Sequence, residues 1–255
     1  MEISNQRLDG RVAIVTGAAR GMGRAIAEVL GRRGARVLLV DVLAERLAET
    51  SDQLRQEGLD VLALAADVAD PQTAKAAVDR CRSEWGKLDI LVNNAAIGGR
   101  HAPLWELSDE EWRKMLAVNL DGPFYFCRAA VPLMLENGWG RIVNIASTAA
   151  KSPPPRTGHY SSSKAGVVAL TKALGRELAE KGILVNAVTP GGFDTEIRNR
   201  PGADRSLLES SLERVPMHRL GQPHEVAALV GFLASPELSF STGAVFDISG
   251  GYSSY

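Results

Sequence analysis

Short, continuous apolar runs alternate along the chain with stretches whose apolar residues recur every three to four positions. Val12–Thr16 is too short for a helix and is stopped by Gly17, which predicts a buried strand. Residues 21–33 carry a stripe at Met22, Ile26, Val29 and Leu30 and stop at Gly34, the pattern of an amphipathic helix. The alternation then repeats. Strands are predicted over 36–41, 61–65, 88–92, 141–146, 183–188 and 243–248. Helices are predicted over 43–57, from Pro71 to Trp85-Gly86, from the box Ser108-x-x-Glu111 to about Glu136 with a break near Gly122-Pro123, and from Tyr160 to Lys181-Gly182. Residues 191–221 are polar and irregular, with a short helix expected near 205–213, and Pro223 opens a last helix striped at Val226, Leu229, Val230 and Leu233.

The strands are continuous apolar runs rather than alternating ones, so both faces of the sheet must be covered. Strands of that kind, each followed by a helix, predict a parallel, doubly wound α/β sheet of the Rossmann type. No composition shift marks a linker, so residues 1–255 are expected to form a single domain, with 191–221 as a substrate loop or lid within it.

Composition narrows the choice by exclusion. A net charge of −1 and an apolar content of 45% give no footing for nucleic acid or an anionic membrane surface. No run reaches the apolar length of a spanning helix, and residues 1–10 lack the apolar core of a signal peptide. Cys81 and Cys127 fall inside predicted helices without metal-ligand spacing and read as packed, reduced thiols of a cytoplasmic protein. The four histidines make no ligand pair, so no metal site is expected.

Two stretches carry chemistry. The first strand-to-helix turn reads Thr16-Gly17-Ala18-Ala19-Arg20-Gly21-Met22-Gly23. Glycines there let a backbone approach a pyrophosphate, and the helix N-terminus offers free N–H groups and the positive end of its dipole. Asp41 ends the second strand, where a carboxylate accepts hydrogen bonds from ribose hydroxyls and repels a 2′-phosphate, favouring NAD. Arg20, beside the glycines, keeps NADP open. Asp67 and Val68, after the third strand, fall at the same sheet edge, near an adenine, or serve as a turn and helix start. The second stretch is the pair Tyr160 and Lys164, one helical turn apart, with Ser147 thirteen residues upstream of Tyr160 at a strand end. A lysine cation beside a phenol lowers its pKa and makes it a usable base, and the three groups could converge on one carbonyl or alcohol.

In these motifs, and in Asn93-Asn94-Ala95, Asn119 and Pro190-Gly191, the chain resembles the short-chain dehydrogenase/reductase family over nearly its whole length. One departure is Ala96, where the family commonly has glycine. The resemblance implies that Tyr160 is the general acid/base. It implies that Lys164 lowers the tyrosine pKa and holds the nicotinamide ribose. It further implies that Ser147 binds the substrate oxygen and that Asn119 positions a water connecting Lys164 to solvent. Gly17, Arg20, Gly21, Met22, Gly23, Asp41, Asp67, Val68, Asn93, Ala95, Pro190, Gly191 and Thr195 would then line the cofactor, together with Tyr160 and Lys164. A homotetramer is implied as well.

The substrate is expected between 97–104, 148–157 and 191–215. Arg156, four residues before Tyr160, points to a sugar, polyol or hydroxy acid, or else is a solvent-facing or subunit-contact residue. Arg198 and Arg200 are equally open. The alternatives are an NADPH-dependent reductase of 3-oxoacyl thioesters and a non-catalytic NAD(H)-binding protein.

Overall fold

The structure is a computed structural model that describes residues 6–195 and 213–253. Its strands are β1 (Val12–Thr16), β2 (Arg36–Asp41), β3 (Val61–Ala65), β4 (Ile90–Asn93), β5 (Gly140–Ile145), β6 (Ile183–Pro190) and β7 (Val245–Ile248). They form one sheet in the order β3-β2-β1-β4-β5-β6-β7. Every ladder is parallel. After β3 the chain crosses to the far side of β1, so the direction of winding reverses between β1 and β4. Ligands of open α/β sheets bind at that crevice, outside the carboxyl ends of the strands.

Helices α1 (Gly21–Arg32), α2 (Ala44–Gln56), α3 (Pro71–Trp85), α4 (Asp109–Leu116), α5 (Gly122–Asn137), α6 (Gly158–Glu177) and α7 (Pro223–Leu233) cover both faces. The strand period of two divides the apolar runs between two cores. Ala13, Val15, Val37 and Leu39 point to one core, with Ile26, Leu30, Leu47, Leu54, Val226 and Val230 from α1, α2 and α7. Val12, Ile14, Leu38 and Val40 point to the other, with Val78, Cys81, Phe126, Leu133 and Met134 from α3 and α5. Continuous apolar strands therefore meet apolar side chains on both faces, as the pattern requires. Both cysteines are unpaired and buried there, and burial pushes each thiol up to about 12.

Several local signals act as read. Asp70 caps α3 by accepting from the Gln72 N–H at 2.9 Å, with Pro71 in the first turn. Ser108 and Glu111 form both bonds of a capping box on α4. The expected break near Gly122-Pro123 is corrected. A π-turn over Ala117–Asp121 joins α4 to α5, and helical structure continues through Pro123. A widened turn takes up one extra residue without ending the helix, and such bulges concentrate at functional sites. The helix carrying Tyr160 ends earlier than expected, at Glu177. A 3-10 turn at Ala179–Lys181 and left-handed Gly182 follow it. The helix expected over 205–213 lies outside the described residues, Glu213 excepted, as do Arg198, Arg200 and most of the expected lid.

Candidate active site

All the chemistry-bearing segments leave the sheet at its carboxyl edge. The turn after β1 comes first. Gly17 has φ +66°, and a Cβ there would stand 2.8 Å from the Ala95 Cα. A Cβ on Gly23 would stand 2.0 Å from the Gly17 carbonyl oxygen, so only glycine fits. Helix α1 has no side-chain cap and no acidic residue in its first turn. Its first N–H groups are therefore free for a phosphate, and the turn fits the pyrophosphate of a dinucleotide.

This turn is braced from three strands. The Thr16 hydroxyl accepts from the N–H groups of Asn94 (3.0 Å) and Ala95 (3.1 Å). The Asn94 amide donates to the carbonyls of Thr16 (2.9 Å) and Gly17 (3.1 Å). From α2, the Thr50 hydroxyl donates to the Ala19 carbonyl at 2.7 Å. Asp41 accepts from the Ala19 N–H with one oxygen (2.9 Å) and from the Leu43 N–H with the other (3.0 Å). A carboxylate has about four acceptor positions, so two remain for ribose hydroxyls. Asp67 is exposed and closes a turn by accepting from the Ala69 N–H at 2.9 Å, while Val68 is buried against Gly122.

The Asn93 side chain turns away from the glycine turn into the sheet, where its amide donates to the side-chain oxygen of Asn144 at 2.8 Å. Asn144 donates in turn to the Thr171 hydroxyl of α6 at 2.9 Å. Alternation along β4 is the reason, since Asn93 and Asn94 must face opposite ways. Asn94 is the neighbour that reaches the glycine turn. With Thr16 and Thr50, it was missed as a site residue. An i-to-i+1 choice on a strand end was the one available signal.

Ser147 leaves β5 and caps a 3-10 turn over Thr148–Ala150, accepting from the Ala149 N–H at 3.1 Å. Tyr160 and Lys164 lie on α6, which packs on that turn. The Lys164 ammonium is 2% exposed and donates to the Ile145 carbonyl at 2.9 Å, two residues before Ser147. Burial pushes Lys164 down to about 8. Burial raises the Tyr160 phenol above its ordinary value, and the Ser147 hydroxyl opposes that shift. Desolvation is the larger influence on the phenol in this state, and the ammonium is aimed at the Ile145 carbonyl.

Asn119 sits in the π-turn, fully buried. Its amide oxygen accepts from the Ile97 N–H (2.9 Å), and its NH2 donates to the Ile97 carbonyl (3.0 Å) and the Ser163 hydroxyl (3.2 Å). The side chain is thus a two-point clamp on the loop after β4. From β6, Pro190 is buried, and Gly191 passes so close to Ser249 that a Cβ would stand 2.9 Å from its Cα. Thr195 returns to the glycine turn, its methyl 3.6 Å from where a Gly21 Cβ would be. Arg156 is exposed, with φ +66°. Its carbonyl accepts from the Ala102 N–H at 3.1 Å and its guanidinium donates to the His101 carbonyl at 3.4 Å. It thereby ties the two substrate-side loops together.

A parallel sheet with a dinucleotide turn at its switch point, facing a Ser/Tyr/Lys cluster, defines a nicotinamide-dependent oxidoreductase acting on CH–OH groups. A family model described as enoyl-(acyl carrier protein) reductase matches residues 17–253. The chain belongs to the short-chain dehydrogenase/reductase family. It is 42% identical over 255 residues to a 2-dehydro-3-deoxy-L-rhamnonate dehydrogenase (NAD(+)) of a Sphingomonas species, covering 100% of both chains. It is 41% identical over 246 residues to a D-threitol dehydrogenase of Mycolicibacterium smegmatis, covering 96% of this chain and 94% of that protein. A 3-ketoacyl-(acyl-carrier-protein) reductase from Brucella melitensis, crystallised with NADH, superposes with a TM-score of 0.89 at 34% identity, covering 96% of this chain and 99% of that one. No helix among the described residues is long and apolar enough to cross a membrane.

Proposed function

We propose that the protein is an NAD(H)-preferring dehydrogenase of a polar hydroxy compound, a sugar acid or polyol, worked by Ser147, Tyr160 and Lys164. The observation that carries this reading is that the Ser147 hydroxyl meets the Tyr160 phenol while Lys164, one helical turn on, reaches the strand end at Ile145. The two relatives named for sugar-acid and polyol substrates support the substrate class. The two free acceptor positions of Asp41 support NAD, because a 2′-phosphate there would meet a like charge.

In the oxidative direction Tyr160 takes the hydroxyl proton of the substrate. Ser147 donates its hydroxyl hydrogen to the same oxygen and holds it as negative charge develops. The Lys164 ammonium, freed from Ile145, supplies the positive field that offsets the burial of the phenol. A bound nicotinamide, held by Tyr160 and Lys164, would supply the hydride acceptor. Asn119 keeps the loop from Ile97 in place, and Arg156 fixes that loop against 148–157.

A second reading, reduction of a 3-oxoacyl thioester, is favoured by the Brucella relative. That relative was crystallised with NADH, so coenzyme choice alone does not separate the readings. The test therefore has two parts. Titration with NADH and NADPH, followed by nicotinamide fluorescence, should show tighter NADH binding. Turnover is then compared on sugar acids and polyols against a 3-oxoacyl thioester. Faster turnover of the thioester would replace the first reading by the second, and NADH binding without turnover of either would point to a non-catalytic binding protein. Exposed Trp112 and Phe124 on α4 and α5, and Phe240 before β7, support a homotetramer, to be checked by light scattering. The buried, unpaired thiols support a reducing, cytoplasmic setting.

A further inference from the structure

One buried titratable group takes no part in the chemistry above. His159, next to Tyr160, is 1% exposed, and neither ring nitrogen has a hydrogen-bond partner. Buried polar groups are nearly always satisfied, so two orphaned nitrogens on one ring ask for a ligand. The ring lines a cavity of about 270 Å³ with Ile97, Gly99, Arg100, Glu111, Lys114 and Met115. That volume falls just below the range of drug-sized pockets, about 300–1,000 Å³, and suits a smaller ligand. Gly99, at φ +71°, keeps the space open, since a Cβ there would stand 2.5 Å from His159 Nε2.

The charges around the cavity do not balance. Glu111 is engaged by Arg100, at 2.7 and 3.2 Å, and by the Ser108 N–H at 2.8 Å. Lys114 makes no ion pair among the described residues and leaves one cation over. The cavity therefore offers a free ammonium and an imidazole beside the apolar wall of Ile97 and Met115, a setting for a small anion with a short carbon body. Burial lowers the His159 pKa, with Glu111 opposing and His101 and Arg100 adding to the shift. A bound anion would return the proton to the ring. Ile97 and Met115 both touch Asn119, the latter through its sulfur, 2.9 Å from the amide nitrogen.

We propose that this cavity is a binding site for a small carboxylate, held between the Lys114 ammonium and the His159 imidazole. The ligand's acid group belongs either to the substrate itself or to a separate small molecule. The site does not depend on the assignment of the reaction, and its first test needs no turnover.

The probe is malonate, added to the unliganded full-length protein with its methionine methyl groups carbon-13 labelled. Met115 is identified among the five methionines by Met115→Leu. The expected result is a saturable shift of the Met115 methyl signal, with affinity falling as pH rises and the imidazole loses its proton. Lys114→Ala and His159→Phe should each weaken binding about tenfold, and Lys114→Arg should restore it. An unmoved Met115 signal, malonate binding equal in Lys114→Ala and the parent, or a shift abolished by NADH but not by Lys114→Ala, overturns the proposal. Competition by malonate against a hydroxy-acid substrate but not a neutral polyol assigns the acid group to the substrate. An equal effect on kcat with both assigns it to a separate ligand.

Discussion

The glycine turn after β1 and the Ser147–Tyr160–Lys164 cluster open on the same sheet edge, yet they are held in opposite ways. Around the turn four polar side chains are engaged by backbone: Thr16, Thr50, Asn94 and Asp41 together fix its carbonyls and N–H groups. Around the cluster, burial moves Tyr160 and Lys164 toward their uncharged forms. The cofactor end is built before anything binds. The catalytic end is electrostatically unfinished, because burial weakens the Lys164 ammonium and disfavours the Tyr160 phenolate until the site is filled.

The sharpest separation of the two regions is Tyr160→Phe. It should lower kcat about 10²–10⁴-fold while leaving NADH affinity unchanged, measured by steady-state kinetics and fluorescence titration. A matching loss of NADH affinity would show that the two regions are not independent. The reverse substitution is Gly23→Ala. Its methyl cannot fit 2.0 Å from the Gly17 carbonyl, so the turn must open and NADH affinity should fall about a hundredfold, roughly 3 kcal/mol.

A third experiment reads the unfinished electrostatics through stability. Lys164 sits at about 8 when folded against an ordinary 10.5, so between those values the unfolded chain binds the extra proton. Stability contributed by this group therefore rises with pH across that window, and the cost of a buried ammonium is fully present below it. Lys164→Met should be more stable than the parent below about pH 8, by on the order of 3 kcal/mol, with the gain fading toward about pH 10. Denaturant unfolding at several pH values checks this, and a gain independent of pH would refute the buried charge.

Smaller effects probe the braces. Asn94→Ala removes two bonds to the turn and should cost about 1–3 kcal/mol, raising KM for NAD with little change in kcat. Asp41→Asn keeps its oxygen for Ala19 but loses the charge, so preference for NADH over NADPH should shrink about tenfold. An unchanged preference would move the discrimination to Arg20 or a neighbour.

Most of the fold was legible in the chain because its signals are local. Seven apolar runs, the glycine stops at Gly17 and Gly34, the Ser108 box and Pro71 each act over a few residues, and the structure follows them within two or three positions. The Tyr160 and Lys164 spacing was legible for the same reason, one helical turn being a local distance. The break at Gly122-Pro123 was misread because a π-turn is chosen by what Asn119 must clamp, 22 residues away at Ile97. Which of Asn93 and Asn94 braces the glycine turn was not legible, because either of two adjacent asparagines could reach it until β4 took its register against β1 and β5.

The sequence alone determined the alternation of strand and helix, the glycine turn, and the placement of a hydroxyl at a strand end and of a phenol and an amine one helical turn apart, since period, stop residue and residue type are properties of the chain itself. Only the tertiary structure decided that Asn94 rather than Asn93 braces the turn, that Lys164 donates to Ile145, and that His159 is left without a partner. These depend on which groups are brought together over dozens of residues and on how far water is excluded, and desolvation is a property of the packed molecule, not of any segment.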